Sequence, residues 1–515
     1  MSISLKKCLI ANRGEIAVRI IRVCRELGIQ TVAVYSEVDA HALHVQLADE
    51  AYLLGGASPA ESYLNIDKLI EVAINANCDC VHPGYGFLSE SPIFAQAIID
   101  AELTWVGPNP DAIKLMGVKT EARALMQQAN VPLVPGFVSN DESNAPYIEA
   151  SESIGFPLMV KAAGGGGGKG IRVVYQASEL ENALDSARRE ANNAFGDPRV
   201  FLEKFIESAR HIEVQIIADT HGNTLHLFER ECSVQRRHQK IIEETPSPLL
   251  TDDTRSAICE AAVKAAQAVN YVNAGTVEFI ATEDGEFYFL EMNTRLQVEH
   301  PVTELVTNVD LVHLQFLVAS GGELPFEQTE VNQSGHAIEC RIYAEDPRNN
   351  FLPSIGTVHT FKPPQGSGIR VDSGLQSGDE VSIHYDPMIA KIIVHSRTRS
   401  DAIRRMYIAL QDMVILGTIT NRDFLLTLLE NPDFIEGAID TNYVDNHLST
   451  LLPEIPELSD LALIAQAIAD HQALLMPSRN NESTQSDGDA YSPWGQSDSF
   501  RMSGSTAEKR GRHDL

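Results

Sequence analysis

Apolar positions along the first third of the chain recur with two alternating periods. Residues 5–11 read as a strand, Asn12-Arg13-Gly14 as a turn, and residues 15–27 as a helix with Ile16, Ile20, Val23 and Leu27 on one face, stopped by Gly28. Residues 31–35 and 78–81 repeat the strand pattern, and residues 63–75 the helical one. Units of this length predict a parallel, doubly wound sheet over roughly residues 1–120. The segment from His82 to Glu90 follows a strand end and mixes turn formers with aromatics, which suits either a ligand loop or a plain turn.

From Pro132 the pattern changes. Residues 156–161 form a strand ending in Lys161, residues 164–168 are five glycines followed by Lys169-Gly170, and residues 171–175 resume as a strand. Because a P-loop would read GxxxxGK[ST] and open a helix, these glycines predict a hairpin flap whose backbone N–H groups close over phosphates, with Lys161 as a fixed charge. Strands are expected over residues 200–206, 211–217 and 224–229, then a run rich in Arg and Lys over residues 230–240, which is either a solvated charge run or an anion-attracting patch. Residues 255–269 form an amphipathic helix. Strands 275–280 and 286–291 flank Asp284-Gly285, a favoured hairpin pair. A two-residue turn there would oppose Glu278 and Glu291, a destabilising match unless a cation lies between them. With the amide oxygen of Asn293 these carboxylates suit Mg²⁺ or Mn²⁺.

Alternation continues from Glu291 to His300. In an extended backbone Glu291, Asn293, Arg295, Gln297 and Glu299 line one face, with Met292, Leu296 and Val298 behind. Nine such residues span about 26 Å, too far for one ion site, so two sites in series with a bend near Thr294 are expected. Helical segments follow over residues 310–320, 400–416 and 422–430, around a β-rich region reaching about residue 395; from about residue 477 the chain turns polar and is expected to be disordered.

Composition narrows the class. The chain has 515 residues, is 43% hydrophobic and carries a net charge of -31 from 40 Lys+Arg against 71 Asp+Glu. That balance opposes nonspecific nucleic-acid binding, so an anionic substrate needs a local basic cluster. No apolar run approaches the roughly 18 residues of a membrane span, which predicts a cytoplasmic protein without a membrane partner. Seven scattered cysteines without a CxxC pair fit buried thiols, Cys232 included.

A glycine flap, an upstream lysine, paired glutamates and a basic run describe an ATP-dependent ligase. Ile10–Ala17, the 82–90 segment, residues 161–170, Arg236-Arg237-His238-Gln239-Lys240 and residues 291–300 resemble the signature segments of biotin carboxylase, in the ATP-grasp superfamily, over about residues 3–450. The resemblance implies an N-terminal α/β domain (1–120), an ATP-grasp lid with the flap (121–206), an ATP-grasp core (207–335), a β-rich α+β C-terminal domain (336–450), and a helical linker with a tail (451–515). It implies MgATP-driven carboxylation of biotin by bicarbonate through carboxyphosphate. Lys119, Lys161, Gly167 and Gly168 match phosphate contacts; Glu203, Lys204, Phe205 and Ile206 match the adenine segment; His211, Gln235 and His238 match further nucleotide contacts. Glu278, Glu291 and Asn293 match metal ligands. Lys240, Arg295 and Val298 match the bicarbonate pocket, Glu299 the base, and Arg341 the residue that stabilises the biotin enolate. The implied partners are a biotin carboxyl carrier protein, a carboxyltransferase and a second copy of the chain. No Met-Lys-Met carrier sequence occurs, so biotin is expected from another polypeptide or as free substrate, and the acyl acceptor stays open. Another ATP-grasp carboxylate-amine ligase, or a non-catalytic nucleotide-binding scaffold, are the alternatives; the first would not need Arg295, Glu299 and Arg341, and the second should have lost at least one metal or base residue.

Overall fold

Leu9 and its neighbours are apolar without a break because this strand is covered on both sides. The computed structural model describes residues 3–139, 143–163, 171–237, 239–452 and 460–475. Strands β1 (Lys7–Ile10), β2 (Gln30–Ser36), β3 (Glu50–Gly55), β4 (Cys80–His82) and β5 (Thr104–Trp105) form a sheet in the order β3-β2-β1-β4-β5, and every pairing is parallel. Cys8 and Ile10 pack with Ile16, Ile20 and Cys24 of the helix Gly14–Leu27. Leu9 and Ala11 pack with Leu69, Val72 and Phe94 on the opposite face. Alternate side chains of one strand thus feed two cores, which is the doubly wound arrangement expected.

Strands β6 (Gly136–Val138), β7 (Leu158–Ala162), β8 (Arg172–Val174) and β9 (Val200–Lys204) make a separate antiparallel sheet in the order β6-β9-β7-β8. Leu180, Leu184 and Ala187 of the helix Ala177–Phe195 cover it through Leu158, Val160 and Val174. β7 and β8 pair as the two sides of a hairpin. The glycines between them, Gly167 and Gly168 included, lie outside the described residues, as does His238.

The largest sheet contains β10 (Arg210–Ala218), β11 (Thr224–Arg236), β12 (Gln239–Thr245), β13 (Asn273–Ala281), β14 (Phe287–Asn293) and β15 (His336–Tyr343). Its order is β14-β13-β10-β11-β12-β15, continued by strands Met388–Ser396 and Ile369–Ser373, all antiparallel. The sheet runs unbroken across the expected boundary at residues 335 and 336, through four paired positions of β12 and β15 from Ile242↔Cys340 to Thr245↔Ala337. One helix is shorter than expected. Arg399–Asp412 ends before β-branched Val414 and Ile415, which join a strand, Val414–Leu416, paired with Thr360–Lys362.

The helix Asp460–Leu475 belongs to a second unit, residues 454–515. Among the described residues no single helix is long and apolar enough to cross a membrane.

Phe279 of β13 is fully buried and edge-on to Phe287 and Phe289 at 5.7 and 6.3 Å. Phe279→Ala should cost about 3–5 kcal/mol in equilibrium urea unfolding, from lost transfer energy and the cavity left behind; a loss under about 1 kcal/mol would mean that the three rings do not pack as described.

Candidate active site

Glu278 and Glu291 are direct cross-strand partners, but the turn does not make them so. Thr282 N–H bonds to Glu286 O at 2.9 Å, so three residues, not two, form the hairpin loop, and Ile280↔Tyr288 and Phe279↔Phe289 pair one step off the expected register. A bulge opposite the Glu278/Phe279 step adds one residue to β14 and restores the pairing, so that Glu278 meets Glu291.

The polar row from Glu291 to Glu299 is not extended. β14 ends at Asn293, and the chain turns at Thr294, whose N–H is taken by Glu90 Oε1 at 3.0 Å. The turn brings Gln297 back to Glu278, Nε2 to Oε1 3.1 Å, and makes Glu299 the N-cap of the helix His300–Thr307. A bend near Thr294 is therefore present, while the 26 Å separation is not: side chains expected in series fold onto one another.

Lys240 stands at the centre. Its ammonium bonds to Glu213 Oε2 at 2.5 Å, Glu299 Oε1 at 2.5 Å and Glu278 Oε1 at 3.1 Å, one acceptor for each of its three protons. Glu278 Oε1 also accepts from Asn293 Nδ2 at 2.8 Å, and its Oε2 lies 3.1 Å from His211 Nε2. Glu299 Oε2 accepts from Arg341 Nη2 at 2.9 Å. Arg341 is held in turn by Glu243 of β12, whose Oε1 is 2.6 Å from its Nε.

Burial pulls the Lys240 ammonium down, yet Cys232, Glu213, Glu278 and Glu299 together hold it well above the usual lysine range. Burial pushes Glu299 up, but Lys240, Arg341 and Arg230 outweigh it and keep the carboxylate ionised well below its ordinary range. Glu278 is lowered in the same way: burial opposes ionisation, and Lys240 and His211 overcome it. Burial lowers His211, but the charge and hydrogen bond of Glu278 with the charge of Glu213 together hold it above its ordinary value.

Among the described residues the basic run does not form an open patch: it belongs to β11 and β12, whose Arg230, Arg236 and Lys240 turn inward, and Arg237 alone of its cations is exposed. Arg230 is completely buried, bonded to Glu213 Oε1 at 2.5 Å, Gln215 Oε1 at 2.7 Å and Thr303 Oγ1 at 3.0 Å. Arg236 pairs with Glu345 at 3.2 Å and covers the Phe351 ring. Thirteen residues of β-pattern in β11 override the local charge, because Glu213 and Glu345 supply buried partners that a sequence window does not show. Cys232 is fully buried, as expected.

Of the other expected residues, Arg295 spans the mouth of the site: Nε to Glu90 Oε2 2.9 Å, Nη1 to Gln297 Oε1 3.0 Å and Nη2 to Asn293 Oδ1 3.0 Å. The 82–90 segment therefore reaches the site through Glu90. Val298 contributes its carbonyl, which accepts from Lys391 Nζ at 2.7 Å. Lys119 Nζ lies 3.6 Å from Glu291 Oε2. Gln235 is the cross-strand partner of Lys240. Lys161 and Arg123 both pair with Glu203, forming a second cluster on the lid sheet. Lys204 is tied to the Phe156 and Gly155 carbonyls at 2.7 and 3.2 Å, and Phe205 N–H to Pro157 O at 3.0 Å; Ile206 is the second residue past the end of β9. Glu90, Glu213, Glu243 and Gln297 were not singled out as site residues from sequence. Gln297 carried a signal in its place in the alternating row, and Glu90 in closing the 82–90 segment; Glu213 and Glu243 carried none.

Glu278, Glu291 and Asn293 present two carboxylates and an amide oxygen from two adjacent strands, a hard donor set that fits a divalent cation. Glu278 is deep, and the Glu291 side chain is 40% exposed, so the cation would lie between the interior and the mouth.

Lys240→Met should destabilise the fold by about 3–5 kcal/mol at pH 7, because three buried carboxylates lose their shared cation. Without it those carboxyls keep their protons to higher pH when folded than when unfolded. The deficit should therefore be largest at high pH and shrink as pH falls, in urea melts at pH 8 and about 5.5; a pH-independent deficit would contradict the network.

Three family signatures match the chain: "Biotin carboxylase, N-terminal domain" over residues 4–113, "Carbamoyl-phosphate synthase L chain, ATP binding domain" over 118–327, and "Biotin carboxylase C-terminal domain" over 339–446. Biotin carboxylase 1 of Bacillus subtilis (strain 168) is 51% identical over 444 residues, 86% of this chain and 99% of that protein. The mitochondrial methylcrotonoyl-CoA carboxylase subunit alpha of Rattus norvegicus is 49% identical over 451 residues, 87% of this chain and 63% of that subunit, so the chain spans less than two thirds of that relative. The biotin carboxylase domain dimer of Hydrogenobacter thermophilus 2-oxoglutarate carboxylase, solved with MgADP, ADP and bicarbonate, superimposes with a TM-score of 0.83 at 44% identity, covering 88% of this chain and 99% of that one.

Proposed function

The chain belongs to the biotin carboxylase family, and on that premise we propose that it catalyses the ATP-dependent carboxylation of biotin by bicarbonate, the first half-reaction of a biotin-dependent carboxylase. The observation that carries this reading is the convergence on one turn of a cation clamp, Arg295 with Gln297, and a buried carboxylate, Glu299, fixed between Lys240 and Arg341. A ligase joining a larger carboxylate to an amine has no use for this trio.

Arg295 and Gln297 would hold bicarbonate by directional hydrogen bonds, with the Arg fork matched to a planar anion. Glu299 would remove its proton, turning a weak nucleophile into one able to attack the terminal phosphoryl group of ATP. Glu278, Glu291 and Asn293 would hold Mg²⁺ or Mn²⁺, which draws charge from the phosphates. Lys119, Lys161, Gly167 and Gly168 would neutralise and cover those phosphates; Glu203 to Ile206, His211, Gln235 and His238 would contact the rest of the nucleotide. Carboxyphosphate formed there hydrolyses in water, so a closing lid protects it. Arg341, one residue pair from Glu299, would steady the enolate of biotin. The domains would divide at residues 120, 206, 335 and 450. The chain works in the cytoplasm as a homodimer, as in the solved 2-oxoglutarate carboxylase domain, with biotin on a carrier protein and a carboxyltransferase completing the reaction. The identity to a methylcrotonoyl-CoA carboxylase α-subunit favours an acyl-CoA as final acceptor.

The purified chain should release ADP in a bicarbonate-dependent manner that free biotin enhances. Glu299→Gln and Arg295→Ala should each lower kcat/KM by about 10²-fold or more at unchanged circular dichroism. Vigorous ADP release that ignores bicarbonate would refute the reading.

A further inference from the structure

Glu299 is well placed to take a proton from bicarbonate and badly suited to keep it. Lys240 and Arg341 both stabilise its ionised form. Beside it lies a carboxyl group with the opposite tendency. Arg341 Nη2 is 2.5 Å from Glu243 Oε1 and 2.9 Å from Glu299 Oε2, so two carboxylates flank one guanidinium nitrogen.

Behind Glu243 stands Glu339. The two are direct partners on antiparallel β12 and β15, and both are fully buried. Cross-strand partners project to the same face with Cβ atoms about 5 Å apart. Glu243 Oε2 and both Glu339 oxygens are buried without any hydrogen bond, among the described residues. Two carboxylates that close in a dry interior do not both ionise. A proton between them answers both problems, supplying the missing donor and removing the repulsion.

The surrounding charges place the pair within reach of the reaction. β15 contributes Arg341, β12 Lys240, and the turn after β14 Glu299. From Met388–Ser396 comes Lys391, whose ammonium is shared by Val298 O at 2.7 Å and Glu15 at 3.2 Å, with Asp372 3.9 Å away. Tyr85, bonded to Glu15, approaches from the 82–90 segment. Burial, against the pull of Arg341, raises Glu243 to about 7, and burial, against the pull of Lys391 and with Glu243 as neighbour, raises Glu339 well above its ordinary range.

We propose that Glu243 and Glu339 form a carboxyl pair sharing one proton, and that this pair receives the proton Glu299 removes from bicarbonate. In the first step the O–H bond of bicarbonate breaks and an O–H bond forms on Glu299. In the second that bond breaks and one forms on Glu243, which shares Arg341 Nη2 with Glu299; the guanidinium holds the two carboxyl groups together and itself carries no proton between them. Glu299 returns to a carboxylate, the pair loses its one negative charge as the substrate gains a second, so the charge of site and substrate together is unchanged, and no redox partner is needed. Glu243 then holds Arg341 less strongly, which frees guanidinium donors toward the substrate. Glu243 and Glu339 act through Glu299 and Arg341 and are positioning residues.

The second part rests on the activity proposed above, so the test has two arms on the full chain. Infrared difference spectra at neutral pH should show the carbonyl stretch of a buried protonated carboxylic acid, lost in Glu339→Gln. This arm needs no turnover, and absence of the band from the wild-type chain overturns the pair even if no bicarbonate-dependent activity is found. In the kinetic arm, kcat for bicarbonate-dependent ADP release should fall on the acid side near pH 7, because a protonated Glu243 accepts nothing. Glu339→Gln should move that limb to lower pH. Glu243→Gln should abolish the limb and lower kcat about tenfold or more with KM for ATP unchanged, while Glu243→Asp keeps the limb. Glutamine variants with the wild-type pH profile overturn the relay, and a uniform loss with an unshifted limb makes Glu243 only a counter-ion.

Discussion

Everything in the site depends on one ammonium group with three protons and three carboxylates to receive them. Lys240 on β12 ties Glu213 of β10, Glu278 of β13 and Glu299 of the turn after β14 to a single point. Each carboxylate left alone in that interior would be expelled or neutralised, since desolvating an unpaired charge costs several kcal/mol. Together with Arg230 and Arg341 the arrangement keeps Glu278 and Glu299 ionised, and fixes where each of the three carboxylates can be. Glu278 and Glu299 thus share one cation, so neither moves without disturbing the other.

How far this could be read from residues alone depended on the range of the forces involved. The parallel sheet was legible because burial on two faces leaves an unbroken apolar run such as Cys8 to Ala11, and the hairpin because Asp284-Gly285 marks a turn. The Glu278–Glu291 pairing was anticipated, yet for a loop of the wrong length; the bulge that corrects the register has no local signature. Likewise the row from Glu291 to Glu299 looked like a strand because it alternates. What bends it is Glu90, 204 residues away, capturing the Thr294 N–H. Arg230 looked like surface charge until Glu213 was placed beside it. In each case the deciding partner was distant in sequence, which is where pattern reading is blind.

The same long-range pairing explains why Glu213 and Glu243 escaped notice. Glu213 sits between apolar Ile212 and Val214, and Glu243 between Ile242 and Glu244; a glutamate in either setting reads as an outward-facing residue. Their importance comes from what faces them across the sheet, Arg230 and Lys240 for one, Arg341 for the other.

The continuity of the large sheet has a mechanical consequence. β12 carries Lys240 and β15 carries Arg341, and the backbone bonds between them act as a weld: the two side chains that flank Glu299 are parts of one rigid plate. The lid sheet, β6 to β9, shares no ladder with that plate and joins it by the two chain crossings before β6 and after β9, with one parallel bridge, Leu133↔Phe289, beside the first. Compliance is therefore concentrated at those crossings, and the molecule divides between an anvil that keeps its shape and a smaller plate hung from it by two strands of chain.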